Sequence, residues 1–80
     1  MRIYRDHVIM AFPSFDTRTN SWAPQADITW CAGLRRESKF VRFRTRVMTE
    51  NEAIDHALTK STKWIDRRLN ATSLVSKRSN

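Results

Sequence analysis

The sequence predicts an α+β fold in which a three-stranded antiparallel meander carries one C-terminal amphipathic helix on one face (βββα). Residues 25–34 and 39–47 alternate apolar and polar side chains, as half-buried strands do, and residues 53–69 repeat apolar side chains at helical steps. Sheet and helix each have one apolar face, so they must pack together. A chain of 80 residues is long enough for one domain, which we place at 1–69, followed by a disordered polar tail at 70–80.

The first predicted strand runs from Ile3 to Phe12, where β-branched and aromatic residues dominate. Residues 13–24 then collect Pro, Ser, Asp, Thr and Asn, which favour turns, and they predict a long hairpin loop. Phe15 and Trp22 flank this loop. We expect the two rings to pack against each other across its base rather than to stack on a ligand.

The second strand, residues 25–34, turns its even-numbered apolar side chains to one face. The third strand, residues 39–47, follows a tight turn centred on Arg36 and Glu37. This turn predicts antiparallel partners whose residue numbers sum to 73. On the polar face the predicted register pairs Asp27 with Arg46, Thr29 with Arg44, Cys31 with Arg42 and Gly33 with Phe40.

The helix is predicted to begin after Thr49, because Thr49 and Glu52 have the spacing of a capping box. Neither Gly nor Pro interrupts the pattern before the chain turns polar at Asn70. Acidic residues precede basic residues along the helix. This order stabilises the helix through its dipole, so it needs no functional explanation. The predicted apolar face consists of Ala53, Ile54, Ala57, Leu58, Ser61, Trp64, Ile65 and Leu69.

The formal net charge of +7 is concentrated in one segment. Residues 35–46 hold six cationic side chains against the single acidic residue Glu37, a net charge of +5. Lys77 and Arg78 in the tail supply the remaining +2, since the other segments balance. A local excess of this size attracts polyanions at low salt.

The basic segment predicts a non-enzymatic module that binds RNA or DNA. Alternate residues of a strand lie ~6.6–6.8 Å apart on one face, near the spacing of successive phosphates, so Arg42, Arg44 and Arg46 are predicted to follow a nucleic-acid backbone. The guanidinium fork suits phosphate oxygens, and an aromatic ring can stack on a base. The predicted binding residues are Arg35, Arg36, Lys39, Phe40, Arg42, Arg44 and Arg46.

Two other interpretations fit the same residues. The polar face of an antiparallel sheet faces water in any case, and Asp27 and Thr29 are expected to offer partners to Arg46 and Arg44. Alternatively, the chain is a protein–protein interaction module. It would then pair through a sheet edge or the open sheet face with an acidic protein or with itself.

Catalytic and metal chemistry have little support in the residues. His7, His56 and Cys31 lack the spacing of a zinc site, and the single glycine, Gly33, provides no phosphate-binding loop. A nucleophilic pair of Cys31 and His7 needs both side chains on one sheet face. His56 is interpreted as a solvated helix residue. We expect no enzyme activity, cofactor, metal or small-molecule substrate.

The N-terminus and the cysteine content bear on the compartment. Charged residues precede any apolar run of signal-peptide length, and the run at residues 8–12 is far shorter than the ~20 residues of a membrane helix. Cys31 is the only cysteine and closes no intrachain disulfide. We expect a cytoplasmic protein with no membrane partner.

Several spaced residues carry a resemblance to known proteins. They are Tyr4, Val8-Ile9, Asp16-x-x-Thr19-x-x-Trp22-x-Pro24, Thr49-x-x-Glu52-Ala53-x-x-x-Ala57 and Trp64-Ile65-Asp66. On this pattern, which spans most of residues 4–69, the chain resembles small proteobacterial hypothetical proteins of βββα type. The resemblance implies that fold and brings no established activity. The element order is more distantly similar to double-stranded-RNA-binding-like domains and HicB-type antitoxins, but the leading helix of the former is missing here, and Glu50 and Glu52 stand where its lysines are expected.

Overall fold

The computed structural model describes residues 1–78, with the side chains of residues 1–70. Its elements are β1 (Arg2–Tyr4), β2 (His7–Ala11), β3 (Ser14–Asp16), β4 (Ser21–Ala23), β5 (Gln25–Ala32), β6 (Arg35–Arg42) and α1 (Glu50–Arg78). Strands β1, β2, β5 and β6 form an antiparallel sheet in that spatial order, and β3 and β4 form a second sheet. The fold is α+β, but the predicted three-stranded meander is wrong.

The predicted first strand is divided by a tight turn. Arg5 and Asp6 have φ values of 47° and 66°, so both lie in the left-handed region that a two-residue type I′ hairpin requires. The chain therefore folds back, and Tyr4 of β1 pairs with His7 of β2. The turn contains no glycine, and β-branched and aromatic residues flank it, so the sequence pattern predicts one continuous strand here.

Residues 13–24, predicted as a loop, contain the second sheet. The backbone N–H of Arg18 donates to the carboxylate of Asp16 at 2.9 Å, which closes a turn between β3 and β4. The rings of Phe15 and Trp22 meet edge to face at 5.1 Å, which confirms the predicted aromatic contact. Trp22 and Val47 exchange two backbone hydrogen bonds, of 2.8 and 3.1 Å, and join this hairpin to the segment before the helix.

The register between β5 and β6 differs from the prediction. Gly33 has a φ of +66° and, with Leu34, forms a two-residue turn in place of the predicted turn at Arg36 and Glu37. Paired residue numbers consequently sum to 67 rather than 73. Leu34 continues the apolar alternation of β5, yet it lies fully exposed at the tip of the turn. The shift is an even number of residues, so the side chains of residues 39–42 keep their predicted faces and change their partners.

The helix begins as the capping box predicts. The backbone N–H of Glu52 donates to Thr49 Oγ1 at 3.1 Å, and the Thr49 hydroxyl donates to the Glu52 carboxylate at 3.0 Å. Helical backbone continues to Arg78, past the predicted end at Leu69. The prediction of a disordered tail at 70–80 falls almost entirely outside the residues whose side chains are described.

The core lies between α1 and one face of the large sheet. Fully buried helix residues recur at every fourth position, and most are small, so the helix approaches β2 and β5 closely. The fully buried residues at this contact are Ala53, Ala57, Ser61 and Ile65 from the helix and Ile9, Ala26 and Ile28 from the sheet. The described part of α1 has no stretch apolar and long enough to cross a membrane.

Candidate nucleic-acid interface

The face of the large sheet opposite the helix carries the candidate site, and we call it the open face. Strand β5 alternates, so Ile28 and Trp30 face the helix while Asp27 and Thr29 face away. Cross-strand pairing then assigns the neighbouring strands to the same two sides. The open face consists of Ile3, Val8, Met10, Phe12, Gln25, Asp27, Thr29, Cys31, Arg36, Ser38, Phe40 and Arg42.

The predicted cationic residues are divided between both sides of the edge strand β6. Arg36 and Arg42 lie on the open face together with Phe40. Arg35 and Lys39 pair with residues of the helix-covered side and therefore point the other way. All four are exposed, because β6 lies at the edge of the sheet and the helix packs over β2 and β5.

The predicted row of three arginines along one strand is wrong. β6 ends at Arg42, so Arg44 and Arg46 lie in the irregular segment that leads to the helix. The turn at Gly33 causes this, because it starts β6 four residues before the predicted position of Lys39. The observed open-face pairs are Gln25 with Arg42, Asp27 with Phe40, Thr29 with Ser38 and Cys31 with Arg36.

The positive charge of this region exceeds the negative charge of the carboxylates near it, which are Glu37 within the segment and Asp6 and Asp16 beside it. Within the described side chains, none of the six cationic residues of 35–46 lies within 4.0 Å of a carboxylate. The Nε of Arg42 donates to Gln25 Oε1 at 3.2 Å, and Arg46 donates to the backbone carbonyl of Arg44 at 3.5 Å. These neutral acceptors orient the guanidinium groups and leave their positive charge in place. Asp27, expected opposite Arg46, lies opposite Phe40 instead.

Arg18 lies beside the cationic residues of 35–46, although the sequence pattern did not predict it as part of the site. A shallow depression of about 240 Å³ lies between the β3–β4 hairpin and β6, and Arg18, Arg42 and Arg46 line it with Asp16. The N–H of Arg18 holds the pKa of the Asp16 carboxyl below its usual value. Asp16 balances the charge of Arg18 within residues 1–34, so the net charge of that segment gives no indication that Arg18 belongs to the site.

Phe12 is a second residue of the site that the sequence pattern did not predict. Its ring lies 5.7 Å from that of Phe40, centroid to centroid, with 36° between the ring planes. The Phe12 N–H donates to the Gln25 carbonyl at 3.0 Å, which continues the β2–β5 pairing. Phe12 and Phe40 remain 39% and 49% exposed. The sequence did indicate its face, because Phe12 follows Val8 and Met10 at steps of two residues and therefore lies on the same side of the strand.

The histidines and the cysteine do not come together. His7 pairs with Trp30 on the helix side, where its ring is buried and its Nδ1–H donates to the Arg5 carbonyl at 2.7 Å. Cys31 is exposed on the open face, so the Cys31–His7 pair does not form. Among the residues described, no three His, Cys, Asp or Glu side chains are grouped as metal ligands.

His56 differs from the prediction of a solvated helix residue. Its ring meets that of Phe43 edge on at 5.8 Å. Its Nε2 atom is buried and has no hydrogen-bond partner among the described residues. Phe43 follows β6, and its N–H donates to the Pro24 carbonyl at 3.0 Å, so its ring lies on the helix side, where it packs against the core.

No protein-family model, curated protein or solved structure matches this chain. The resemblance to small βββα proteins therefore stays a prediction, and the function is argued from the geometry of the open face and its cationic residues.

Proposed function

We propose that this protein is a nucleic-acid-binding module whose exposed arginines and lysine bind the phosphate backbone of RNA or DNA. One observation carries the proposal: the six cationic side chains of residues 35–46 are exposed and have no carboxylate within 4.0 Å in the described structure. Unpaired surface guanidinium groups bind phosphate without first breaking an ion pair. Arg18 extends the set toward the β3–β4 hairpin.

Binding of this kind depends steeply on salt. Each phosphate that is neutralised releases counterions, so the logarithm of the binding constant falls by about 0.7–0.9 per phosphate contact for each tenfold rise in salt. If three arginines contact phosphates, their removal reduces the magnitude of the slope of log K against log salt by about two to three. The slope reports the number of contacts even when affinity is modest.

The test compares two variants that remove the same charge. In R42Q/R44Q/R46Q three cationic residues of the proposed interface are lost, and in K60Q/K63Q/R67Q three exposed cationic residues of the helix are lost. Fluorescence anisotropy with a labelled oligonucleotide of roughly 20 nucleotides, at about 50 and about 200 mM salt, gives both affinity and slope. We expect the first variant to lose most of both and the helix variant to change little. Equal losses in the two variants would contradict the proposal.

A second candidate function is protein–protein interaction through the exposed edge of β6. Its support is that this strand has eight residues and lies at the sheet boundary, where unpaired backbone groups accept a further strand. The cationic side chains of β6 favour an acidic partner over a second copy of the chain. For the compartment, we propose the cytoplasm, where the exposed thiol of Cys31 stays reduced.

A further inference from the structure

The exposed aromatic pair on the open face points to single-stranded nucleic acid as the ligand. We infer that bases stack on Phe12 and Phe40 while Arg42 and its neighbours hold the adjacent phosphates. This inference rests on the proposed function and goes beyond it by naming the class of nucleic acid and the groups that distinguish it.

The first step concerns the rings. Phe12 follows β2 and Phe40 belongs to β6, and the two rings meet over β5, the strand between them. Both rings are exposed, whereas the aromatic residues packed against the core are partly buried, and Met10 on the same face is 49% exposed. Apolar side chains gathered on one face in this way mark a binding surface. Aromatic rings on a sheet surface are platforms on which unpaired bases stack.

The second step concerns the phosphates. Arg42 lies two residues after Phe40 on the same face, a separation of ~6.6–6.8 Å along the strand. Gln25, which is buried, accepts the Nε–H of Arg42 at 3.2 Å, and the terminal N–H groups of Arg42 have no hydrogen-bond partner among the described residues. Beyond Arg42 lies the depression shared with Arg18 and Arg46. Apolar rings and cationic groups therefore lie next to each other, as they must in order to bind the bases and the phosphates of one nucleic-acid strand.

The third step distinguishes single strands from duplexes. Bases in a duplex are stacked on each other, so their faces are not available to Phe12 and Phe40. A duplex can use only the cationic groups. Single strands can use both the rings and the cations, and stacking adds to affinity with little dependence on base sequence.

A second copy of the chain fits the open face less well. In a symmetric dimer each open face would meet the open face of the other copy, so the interface would contain Arg36 and Arg42 from both protomers. Among the described side chains, Asp27 lies on this face, and Asp6 lines a depression beside Arg36 at the far end of it. At the end that carries Phe12 and Phe40, the cations Arg18, Arg42 and Arg46 outnumber the carboxylates Asp16 and Asp27, so the charge there favours a polyanion.

The experiment measures binding of a single strand and of its duplex, both of mixed sequence and roughly 20 nucleotides long, by fluorescence anisotropy. We expect the single strand to bind about tenfold more tightly than the duplex. The F12L/F40L variant retains apolar bulk and loses the rings. It should weaken single-strand binding about tenfold, within the range of base–aromatic stacking, and leave duplex binding within about twofold.

The outcomes separate this inference from the proposed function. If F12L/F40L binds the single strand like the unchanged protein and binding stays salt-dependent, the stacking inference is wrong and the nucleic-acid function stands. If neither nucleic acid shows salt-dependent binding, both are wrong. A dimer in sedimentation velocity that F12L/F40L abolishes would assign the patch to self-association and overturn the inference.

A second measurement requires no substitution. NMR of the unchanged protein should show upfield shifts of the Phe12 and Phe40 ring protons when the single strand is added, because a stacked base shields them. Ring signals that stay in place while anisotropy reports binding would also overturn the stacking inference.

Discussion

The Tyr4 hydroxyl donates a hydrogen bond to the Asp66 carboxylate at 2.9 Å, although 62 residues separate the two along the chain. Arg5 Nη1 lies 2.8 Å from the same carboxylate and forms an ion pair with it. These contacts tie the β1–β2 hairpin to the helix. They also hold β1, which has only three residues, in place at the edge of the sheet.

The contact with Asp66 raises the pKa of Tyr4, because the carboxylate accepts a hydrogen bond from the neutral phenol and repels the phenolate. Tyr4 is the only tyrosine, so absorbance at the tyrosinate band reports it alone. We expect its titration midpoint to lie above the ordinary value of about 10 and to fall toward that value in D66N. The same midpoint in both proteins would contradict the contact.

The same cluster predicts how stability depends on pH on the acid side. The Arg5 guanidinium, and then the Tyr4 hydroxyl, hold the pKa of Asp66 below its usual value. The stabilisation is therefore present above the unfolded value of about pH 4 and is lost as the pH falls through the lower folded value. We expect the melting temperature of D66N to lie below that of the unchanged protein at neutral pH, and the difference to narrow toward pH 3. A difference that persists in acid would point to another cause.

Gly33→Ala should destabilise the protein by about 1 kcal/mol, the cost of a left-handed backbone for a residue with a Cβ. A Cβ at Gly33 meets no atom within 4 Å, so the loss comes from the φ of +66° rather than from a clash. Leu34→Ser is the matched control, because this fully exposed neighbour should change stability by less than about 0.5 kcal/mol. Urea denaturation measures both. An unchanged midpoint in Gly33→Ala would show that the turn relaxes.

Ser61→Ala should stabilise the protein by about 1 kcal/mol, because a buried hydroxyl without a partner costs free energy and Ala favours helix. Ser61 is fully buried against the sheet, and its Oγ has no hydrogen-bond partner in the described structure. The reverse change one turn earlier, Ala57→Ser, should cost about 1–3 kcal/mol. Thermal and urea unfolding should rank the variants in that order. A destabilised Ser61→Ala would mean that the hydroxyl has a partner, such as a buried water.

The prediction of side-chain direction succeeded where that of strand pairing failed. Ala26, Ile28 and Trp30 face the helix as expected, because side-chain direction in a strand follows from the local backbone with period two. Pairing is different, since any even shift preserves the alternation. The position of the turn decides which residues pair. Leu34 continues the apolar alternation of β5 past Gly33, so the sequence pattern does not indicate a turn there.

The sequence by itself determined the features that depend on residues close together in the chain: the start of the helix after Thr49, its apolar face, and the concentration of positive charge in residues 35–46. Only the tertiary structure decided that Phe12 meets Phe40 and that Arg18 lies beside Arg42 and Arg46. The physical reason is that these neighbours come from different strands and turns. The order of the strands in the sheet and two tight turns decide which residues meet. A periodic pattern along the chain specifies neither the strand order nor the turns.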